Sequence, residues 1–341
     1  MIKKILSCLI LCGLPVTAHA QDVNIIMATL APAGSPWCQV LEKMGAEWKR
    51  ISNGRVRLSI RAGGTVGDEP DSVKRLRIHS IQAVALSGAG MGGIEPGVAA
   101  LQIPMMFDSY EELDYVRDRI APKLEKRMEA NGFIVLNWGD AGWVHFFSNK
   151  EVSRLDDLRK LKLFTWAGDA DEVELWKTNG FHAVPLAATD IGQGLMTGLI
   201  DAVPTTPLYA ETSHIFETAK YMCDVKWAPL VGATIIEKVT WEKIPADQRV
   251  EMLKAAQDSG QALRDGIRGM GDRAIATMTQ GQPGKRSSRL MVVHADAATV
   301  ADWRKQAEAV YPKLKGKMIP ADLFDEVQKL HEEYKTKGGK K

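Results

Sequence analysis

The chain alternates short apolar segments with charged, amphipathic ones, and this alternation constrains its fold more than any other feature. The amphipathic segments predict helices, the first beginning at Ser35 as N-cap with Pro36 in its first turn. The apolar segments predict strands at 23–30, 55–63, 81–88, 133–142, 143–149, 161–166, 182–187 and 201–208. Strands that alternate with helices favour an α/β fold with a largely parallel sheet.

Two late segments are longer than the rest. Residues 220–241 predict one long strand, and 248–279 predict one long charged helix without proline. About 320 exported residues exceed what one core usually serves, so we expect two lobes that these long elements bridge. We predict lobe I at 21–142 with part of 228–265 returning to it, lobe II at 143–227 with part of 266–295, and C-terminal helices at 296–341.

The N-terminus indicates export. Lys3 and Lys4 precede an apolar run at 5–16, and Ala18-His19-Ala20 forms a cleavage motif. The run is too short to cross a bilayer, and no later segment has the length and uncharged character of a membrane helix. We therefore expect a signal peptide at 1–20, cleavage after Ala20, and a soluble periplasmic protein.

The charge balance bears on possible partners, and the cysteine count bears on disulfide formation. Removal of Lys3 and Lys4 from the 44 lysines and arginines leaves 42, which equals the 42 acids. A net charge near zero gives no support for nucleic acid or an anionic membrane surface as a partner. Cys38 and Cys223 remain after cleavage, and we expect two separate buried thiols rather than a disulfide, although an oxidising compartment permits pairing.

Five segments, in this order, resemble the extracytoplasmic solute receptors of TRAP-type transporters, the DctP-like binding proteins. They are APAGSPW (31–37), GGTVGDEPD (63–71), FIVLNWGDAGWVHFFSNKEV (133–152), DDLRKLKLF (156–164) and MTGLIDAV (196–203). The resemblance implies a two-lobed periplasmic-binding-protein-like fold of type II, with a ligand cleft between the lobes. It also implies closure on a small ligand and its delivery to a membrane permease.

The chain departs from this family at the places where acid-binding members hold their ligand. The resemblance implies an arginine that clamps the ligand carboxylate, and Phe164 stands at that place. Val144 replaces a second arginine, Ser87 matches a polar or charged position, and Thr205 or Thr206 matches an asparagine. An apolar wall desolvates an anion without compensating it, so we predict a largely apolar or aromatic ligand with little anionic charge.

Aromatic and polar residues near the predicted strand ends are the candidate ligand contacts. Phe164 and Trp166 share one side of a strand, as do Trp143 and His145, and each pair either lines the cleft or packs in a lobe core. The full candidate set is Trp37, Ser87, Gly88, Met91, Trp138, Trp143, His145, Phe164, Trp166, Thr205, Thr206 and Trp227.

Other functions remain as alternatives. A carboxylate receptor with a relocated cation would use Arg61, Lys150 or Lys162, and an envelope lipid-shuttle or efflux accessory protein would need no small solute. An enzyme is disfavoured because HExxH, CxxC, P-loop and G-x-S-x-G motifs are absent from the sequence. We expect no cofactor and no metal.

Overall fold

The computed structural model describes residues 22–280 and 289–338. The predicted signal peptide at 1–20 lies outside the described residues, as does the end of the tail at 339–341. The described part has an α/β architecture in which helices pack on both faces of one sheet.

The strands of the described part form a single mixed sheet. They are β1 (Val23–Thr29), β2 (Val56–Arg61), β3 (Ala83–Ser87), β4 (Phe133–Ser148), β5 (Lys162–Trp166), β6 (His182–Leu186), β7 (Ala202–Thr205), β8 (Tyr221–Glu237) and β9 (Met291–Val293). Their order is β2-β1-β3-β8-β4-β7-β5-β6, and β9 pairs with β8. Two groups of strands pair in parallel: β1 with β2 and β3, and β5 with β6 and β7. β8 pairs antiparallel with β3 and with β4, and β4 pairs antiparallel with β7. The prediction of a largely parallel sheet therefore holds only within each group.

Helices connect and cover the strands. They are α1 (Pro36–Ile51), α2 (Glu69–Arg77), α3 (Gly88–Gly92), α4 (Tyr110–Ala130), α5 (Leu155–Leu158), α6 (Ala170–Thr178), α7 (Ile191–Met196), α8 (Pro207–Thr212), α9 (Lys238–Trp241), α10 (Ala246–Arg268), α11 (Met270–Gln280), α12 (Ala297–Glu308), α13 (Tyr311–Leu314) and α14 (Ala321–Thr336). Short 3-10 segments lie at Pro96–Gln102, Ala188–Asp190 and Ile215–Glu217. In the ranges 22–280 and 289–338, no helix has both the length and the apolar character of a membrane span.

The first helix begins where the sequence predicts. Ser35 caps α1 by accepting a hydrogen bond from the Cys38 amide at 3.4 Å, and Pro36 occupies the first turn. Its buried residues recur every three or four positions and so share one face: Cys38, Leu41, Met44 and Trp48. The Trp48 indole nitrogen donates to the carbonyl oxygen of Met252 at 3.0 Å, which fixes α1 against α10.

Two long strands, β4 and β8, run side by side through the middle of the sheet. The sequence predicts a strand that ends in a loop near residue 142 and a second strand after it, but β4 continues from Phe133 to Ser148. Register shifts between Asp140 and Gly142, and at two other places, absorb the irregularity, and Gly142 has a φ of +108°. The predicted strand end is therefore wrong, because Gly142 permits a bulge within a continuing strand.

The long charged segment forms two helices rather than one. α10 ends at Arg268 and α11 begins at Met270, with Gly269 between them. α10 packs on α1 and β4, whereas α11 packs on α8, so the two helices serve different halves of the sheet. The break follows from this change of partners.

Each half of the sheet has apolar clusters of its own. The half around β1–β3 packs α4 and α14 on one face and α1 and α10 on the other. The half around β5–β7 packs α7 and α8 on one face and α12 on the other. β4 and β8 pass through both halves, so the predicted lobe boundaries at 142 and 227 fall inside continuous strands, and they stay a prediction.

The two cysteines of the described chain are free and buried. Cys38 Sγ lies 3.4 Å from the carbonyl oxygen of Ala31, and burial raises the pKa of the Cys223 thiol to about 11. Both behave as small apolar residues, as the sequence predicts for separate thiols.

Candidate ligand-binding site

A cavity of about 670 Å³ lies between the two halves of the sheet. One side is formed by the ends of β1 and β3, near Thr29 and Ser87, and the other by the ends of β5 and β7, near Trp166 and Thr205. The middle parts of β4 and β8 complete the wall. Crevices at the carboxyl ends of parallel strands are the usual ligand sites of α/β proteins, and this volume suits a small organic molecule.

Most of the cavity wall is apolar, and aromatic rings contribute much of it. The rings that line the cavity belong to Trp37, Phe164, Trp166, Trp176, Phe181, Tyr209 and Trp227. Phe164 is almost fully buried in the core of the β5–β7 half, and its ring meets Trp166 edge-on with centroids 6.3 Å apart. Trp227 packs between Phe146, Trp176 and Trp303. Neighbouring protein groups therefore position these rings.

Seven of the twelve candidate residues line this cavity. They are Trp37, Ser87, Gly88, Phe164, Trp166, Thr205 and Trp227. Phe164 combines the two alternatives that the sequence leaves open, because it packs in a core and also faces the cavity.

The structure places Met91 and Trp138 away from the cavity. Met91 is fully buried in the core of the β1–β3 half, because α3 turns it inward. Trp138 belongs to the same core, and its indole nitrogen donates to Glu125 Oε1 at 2.7 Å. The indole nitrogen is therefore satisfied by a helix of its own half, and neither residue contributes to the cavity wall.

Trp143 and His145 also lie away from the cavity, on the opposite face of β4. They line a second cavity of about 600 Å³ together with Tyr110, Arg268 and Asp272. The bulges in β4 decide which side chains face each way, and Val144 faces the first cavity in their place. Trp143 and His145 share one side of β4, as predicted, but that side faces the second cavity and not the first.

His145 has a structural environment. Its Nδ1 lies 3.2 Å from the carbonyl oxygen of Cys223, and burial lowers its pKa to about 4. The imidazole is therefore neutral at ordinary pH and ties β4 to β8. Thr206 likewise has a local role, because it is fully buried and caps α8 by accepting from the Tyr209 amide at 3.4 Å.

Three carboxyl groups of the wall, those of Glu69, Asp169 and Glu172, have no cationic partner within the described residues. Glu69 accepts hydrogen bonds from the Ser87 amide at 2.8 Å, the Ser87 hydroxyl at 2.7 Å and the Gly90 amide at 3.0 Å. Glu172 accepts from the Trp176 indole nitrogen at 3.2 Å. Burial raises the pKa of Glu69 to about 7, and burial together with the charge of Asp169 raises the pKa of Glu172 to about 7.

The cationic side chains of the wall, in contrast, already form ion pairs with acidic residues. Arg159 and Lys317 are the cationic side chains that line the cavity within 22–280 and 289–338. Arg159 pairs with Asp156 and donates to Gln306 Oε1 at 2.8 Å and to the carbonyl oxygen of Asn179 at 3.2 Å. Lys317 lies at the rim and pairs with Asp171 at 3.3 Å.

The three cations proposed as a relocated clamp are not in the wall. Arg61, Lys150 and Lys162 are exposed, and none of them lines the cavity. Arg61 ends an edge strand, and Lys162 binds the carbonyl oxygen of Gly198. Charges that flank strands point to solvent here because the strand interiors are apolar.

Sequence reasoning missed several groups of the wall. Glu69 belongs to the segment GGTVGDEPD, which carried the resemblance, yet nothing in the sequence distinguishes it from an exposed acid. Thr165 is the clearest omission, because it is one of the lining residues and its buried hydroxyl has no hydrogen-bond partner among the described residues. In the part of the chain that the structure describes, no group of three or more histidine, cysteine or acidic side chains is arranged to hold a metal ion.

A family profile and several known proteins match this chain. The profile described as DctP, bacterial extracellular solute-binding protein, family 7, matches residues 27–317. The chain belongs to this family. Its members are solute-binding receptors and not enzymes, which confirms the function class that the resemblance implies. TRAP-type receptors of this kind bind a small ligand and work with membrane permease components.

The C4-dicarboxylate-binding periplasmic protein DctP of Rhodobacter capsulatus is 26% identical over 253 residues, which are 72% of this chain and 74% of that protein. The sugar-acid-binding DctPAm from Advenella mimigardefordensis, solved with galactonate, matches with a TM-score of 0.83 and 19% identity over 92% of this chain and 99% of its own. A TRAP periplasmic solute-binding protein from Sulfurospirillum deleyianum, solved with succinate, has a TM-score of 0.82 and 20% identity over 91% and 99% of the two chains. These likenesses confirm the two-lobed fold.

Proposed function

We propose that this DctP-family receptor captures a small ligand with substantial apolar or aromatic surface and little anionic charge. In this proposal the ligand binds in the cavity between the halves of the sheet, and the receptor passes it to the permease of a TRAP-type system. The signal peptide predicted at 1–20 supports action in the periplasm.

The pairing of charges in the wall is the observation that carries this proposal. Both lining cations are engaged by Asp156 and Asp171, whereas Glu69 and Glu172 have no cation beside them. An anionic ligand would meet uncompensated carboxyl groups in a site of low dielectric, and it would have to compete with an acid that already pairs with each lining cation. A neutral or cationic ligand incurs neither cost.

The apolar wall favours the same ligand class. Each Å² of apolar ligand surface removed from water contributes about 25 cal/mol, so rings such as Trp37, Trp176 and Trp227 reward aromatic or aliphatic surface. The unpartnered hydroxyl of Thr165 offers one polar contact within that wall. A few polar groups in a largely apolar pocket are typical of sites that orient a small molecule.

A carboxylate ligand is the alternative that the structural neighbours favour, since the proteins described above were solved with galactonate and with succinate. Arg159 is the residue such a ligand would require, because Lys317 lies at the rim. Its three nitrogens already donate to Asp156, Gln306 and the Asn179 carbonyl, so an acid would compete with Asp156 for the charge and would have only the two remaining N–H groups to bind. The alternative of an envelope accessory protein that binds no small solute does not account for a cavity of about 670 Å³.

Titration calorimetry of the ligand-free protein with succinate and with galactonate at pH 7.5 tests the proposal. Because the lining cations already pair with Asp156 and Asp171, we expect no saturable heat with either acid up to about 1 mM, which corresponds to a binding free energy weaker than roughly 4 kcal/mol. Micromolar binding of either acid would contradict the proposal. An Arg159→Gln variant that abolished such binding would then assign the carboxylate to that side chain.

A further inference from the structure

The two halves of the sheet also touch each other directly, along a seam beside the cavity. The seam joins residues 64–70, which follow β2, to two segments of the other half. These are residues 166–168, which begin at the last residue of β5, and residues 187–189, which follow β6. Asp68 lies at its centre and is almost fully buried. The side chain does not line the cavity, so its contacts are between protein groups and independent of the ligand.

Asp68 makes hydrogen bonds to both halves. Its Oδ1 accepts from the Glu69 amide at 2.8 Å and caps α2 in its own half. Its Oδ2 accepts from the Trp166 indole nitrogen at 2.9 Å and from the Ala188 amide at 2.8 Å, both in the other half. Within the described residues no lysine, arginine or histidine pairs with Asp68, so its partners are these N–H groups. Hydrogen bonds to a charged acceptor are about twice as strong as neutral ones.

The backbone on either side of Asp68 approaches the other half closely. A Cβ atom on Gly64, whose φ is +70°, would lie 2.7 Å from Thr189 Cγ2. A Cβ atom on Gly168 would lie 2.3 Å from Pro70 Cγ. Both distances are far below van der Waals contact, so glycine is what permits the seam to close.

We infer that Asp68 is the closure residue of this receptor, which joins the two halves and positions Trp166 over the cavity. A hinge motion that opened the cavity would separate Oδ2 from both of its cross-seam donors and leave the carboxylate dependent on water and one amide. Trp166 would lose its indole partner in the same movement. The contact therefore stabilises the closed arrangement whatever ligand the cavity takes.

Distance measurement between spin labels on the ligand-free protein tests this inference. Lys126 on α4 and Met196 on α7 are exposed and lie in different halves, so Lys126→Cys and Met196→Cys carry the labels, while both native thiols are buried. The protein is first unfolded and refolded to remove any bound compound. We expect the unsubstituted receptor to populate a short, closed distance and a longer, open one, and the closed-to-open ratio is the quantity that the substitutions change.

Substitutions at Asp68 separate its two contacts. Asp68→Ser retains an N-cap for α2 but is too short to cross the seam, so it should lower the closed-to-open ratio by about tenfold or more, as expected for the loss of hydrogen bonds to a charged group. Asp68→Asn keeps one carbonyl oxygen as an acceptor, so its closed-to-open ratio should fall between those of the parent and of Asp68→Ser. Trp166→Phe removes only the indole donor and should shift the ratio in the same direction by less.

Steric variants give an independent check. Gly168→Ala places a methyl group against Pro70 and should open the seam while Asp68 is intact. Gly192→Ala is the matched control, because a methyl group there meets no atom within 4 Å, and it should leave the distances unchanged. Unchanged distances in both Asp68→Ser and Gly168→Ala, with melting temperatures near that of the parent, would overturn the inference.

Discussion

Replacement of Glu69 by glutamine should remove much of the pH dependence of this protein's stability between pH 5 and 8. Glu69 is only 4% exposed, and burial raises its pKa from 4.5 to about 7. The folded state therefore holds a proton in this range that the unfolded state releases. The stabilisation is fully present below pH 4.5, and it is lost as the pH rises through 7.

The pKa values set the size of the effect. A shift from 4.5 to about 7 corresponds to roughly 3 kcal/mol of unfolding free energy lost between pH 4.5 and 8, since one pKa unit is worth about 1.4 kcal/mol. Glu172 titrates in the same direction, whereas His145, whose pKa is lowered to about 4, contributes stability that increases as the pH rises to 6.5. The substitution should therefore remove most of the net slope below pH 6.5 and about half of it above. Acids whose pKa values are lowered, such as Asp114, titrate below this window.

Urea unfolding followed by circular dichroism at half-unit steps from pH 5 to 8 measures this dependence. The parent protein should lose stability as the pH rises, and Glu69→Gln should show a flatter curve. Glu111→Gln, an exposed acid on α4, serves as the control and should keep the parent slope. A parent curve that rises with pH in this window, or a Glu69→Gln curve parallel to the parent, would refute the buried-acid description of the cavity.

Three further substitutions test packing and the cavity. Gly260→Ala should cost about 1–3 kcal/mol in urea unfolding, because its Cβ would lie 2.6 Å from Asn137 Cβ, whereas Gly271→Ala in α11 meets no atom and should not destabilise. Trp303→Ala should cost about 3–5 kcal/mol by the same assay, since the side chain is fully buried and donates to a backbone carbonyl at 2.9 Å; a loss below about 1 kcal/mol would contradict its place in the core. Thr165→Val should leave the melting temperature of the empty protein unchanged but lower ligand occupancy in native mass spectra, and equal occupancy would exclude the hydroxyl as a contact.

Local signals in the sequence were sufficient for much of the fold. Ser35 and Pro36 mark the start of α1, and the unbroken apolar run at 220–241 becomes the long strand β8. These features depend on nearest neighbours along the chain, such as a cap or a run of β-forming residues. The order of the DctP-like segments identified the family for the same reason.

The site was less predictable because it depends on long-range geometry. Strand parity correctly paired Phe164 with Trp166, whose rings pack together, but bulges in β4 sent Trp143 and His145 to the opposite face. A bulge shifts the facing of every later residue and has no sequence signal beyond a glycine. The pairing of Arg159 with Asp156 and Gln306 joins α5 to α12, and no local pattern predicts which cations are already occupied.

Identification of the compound that the purified receptor carries tests the proposed ligand class most directly. Native mass spectrometry of the protein purified from periplasm gives the mass of the bound species, and organic extraction gives its identity. We predict a neutral or cationic molecule with apolar or aromatic surface, in a complex that Trp227→Ala weakens. A bound dicarboxylate, sugar acid or keto acid would contradict the prediction and would mean that the wall supplies a cation to the ligand after all.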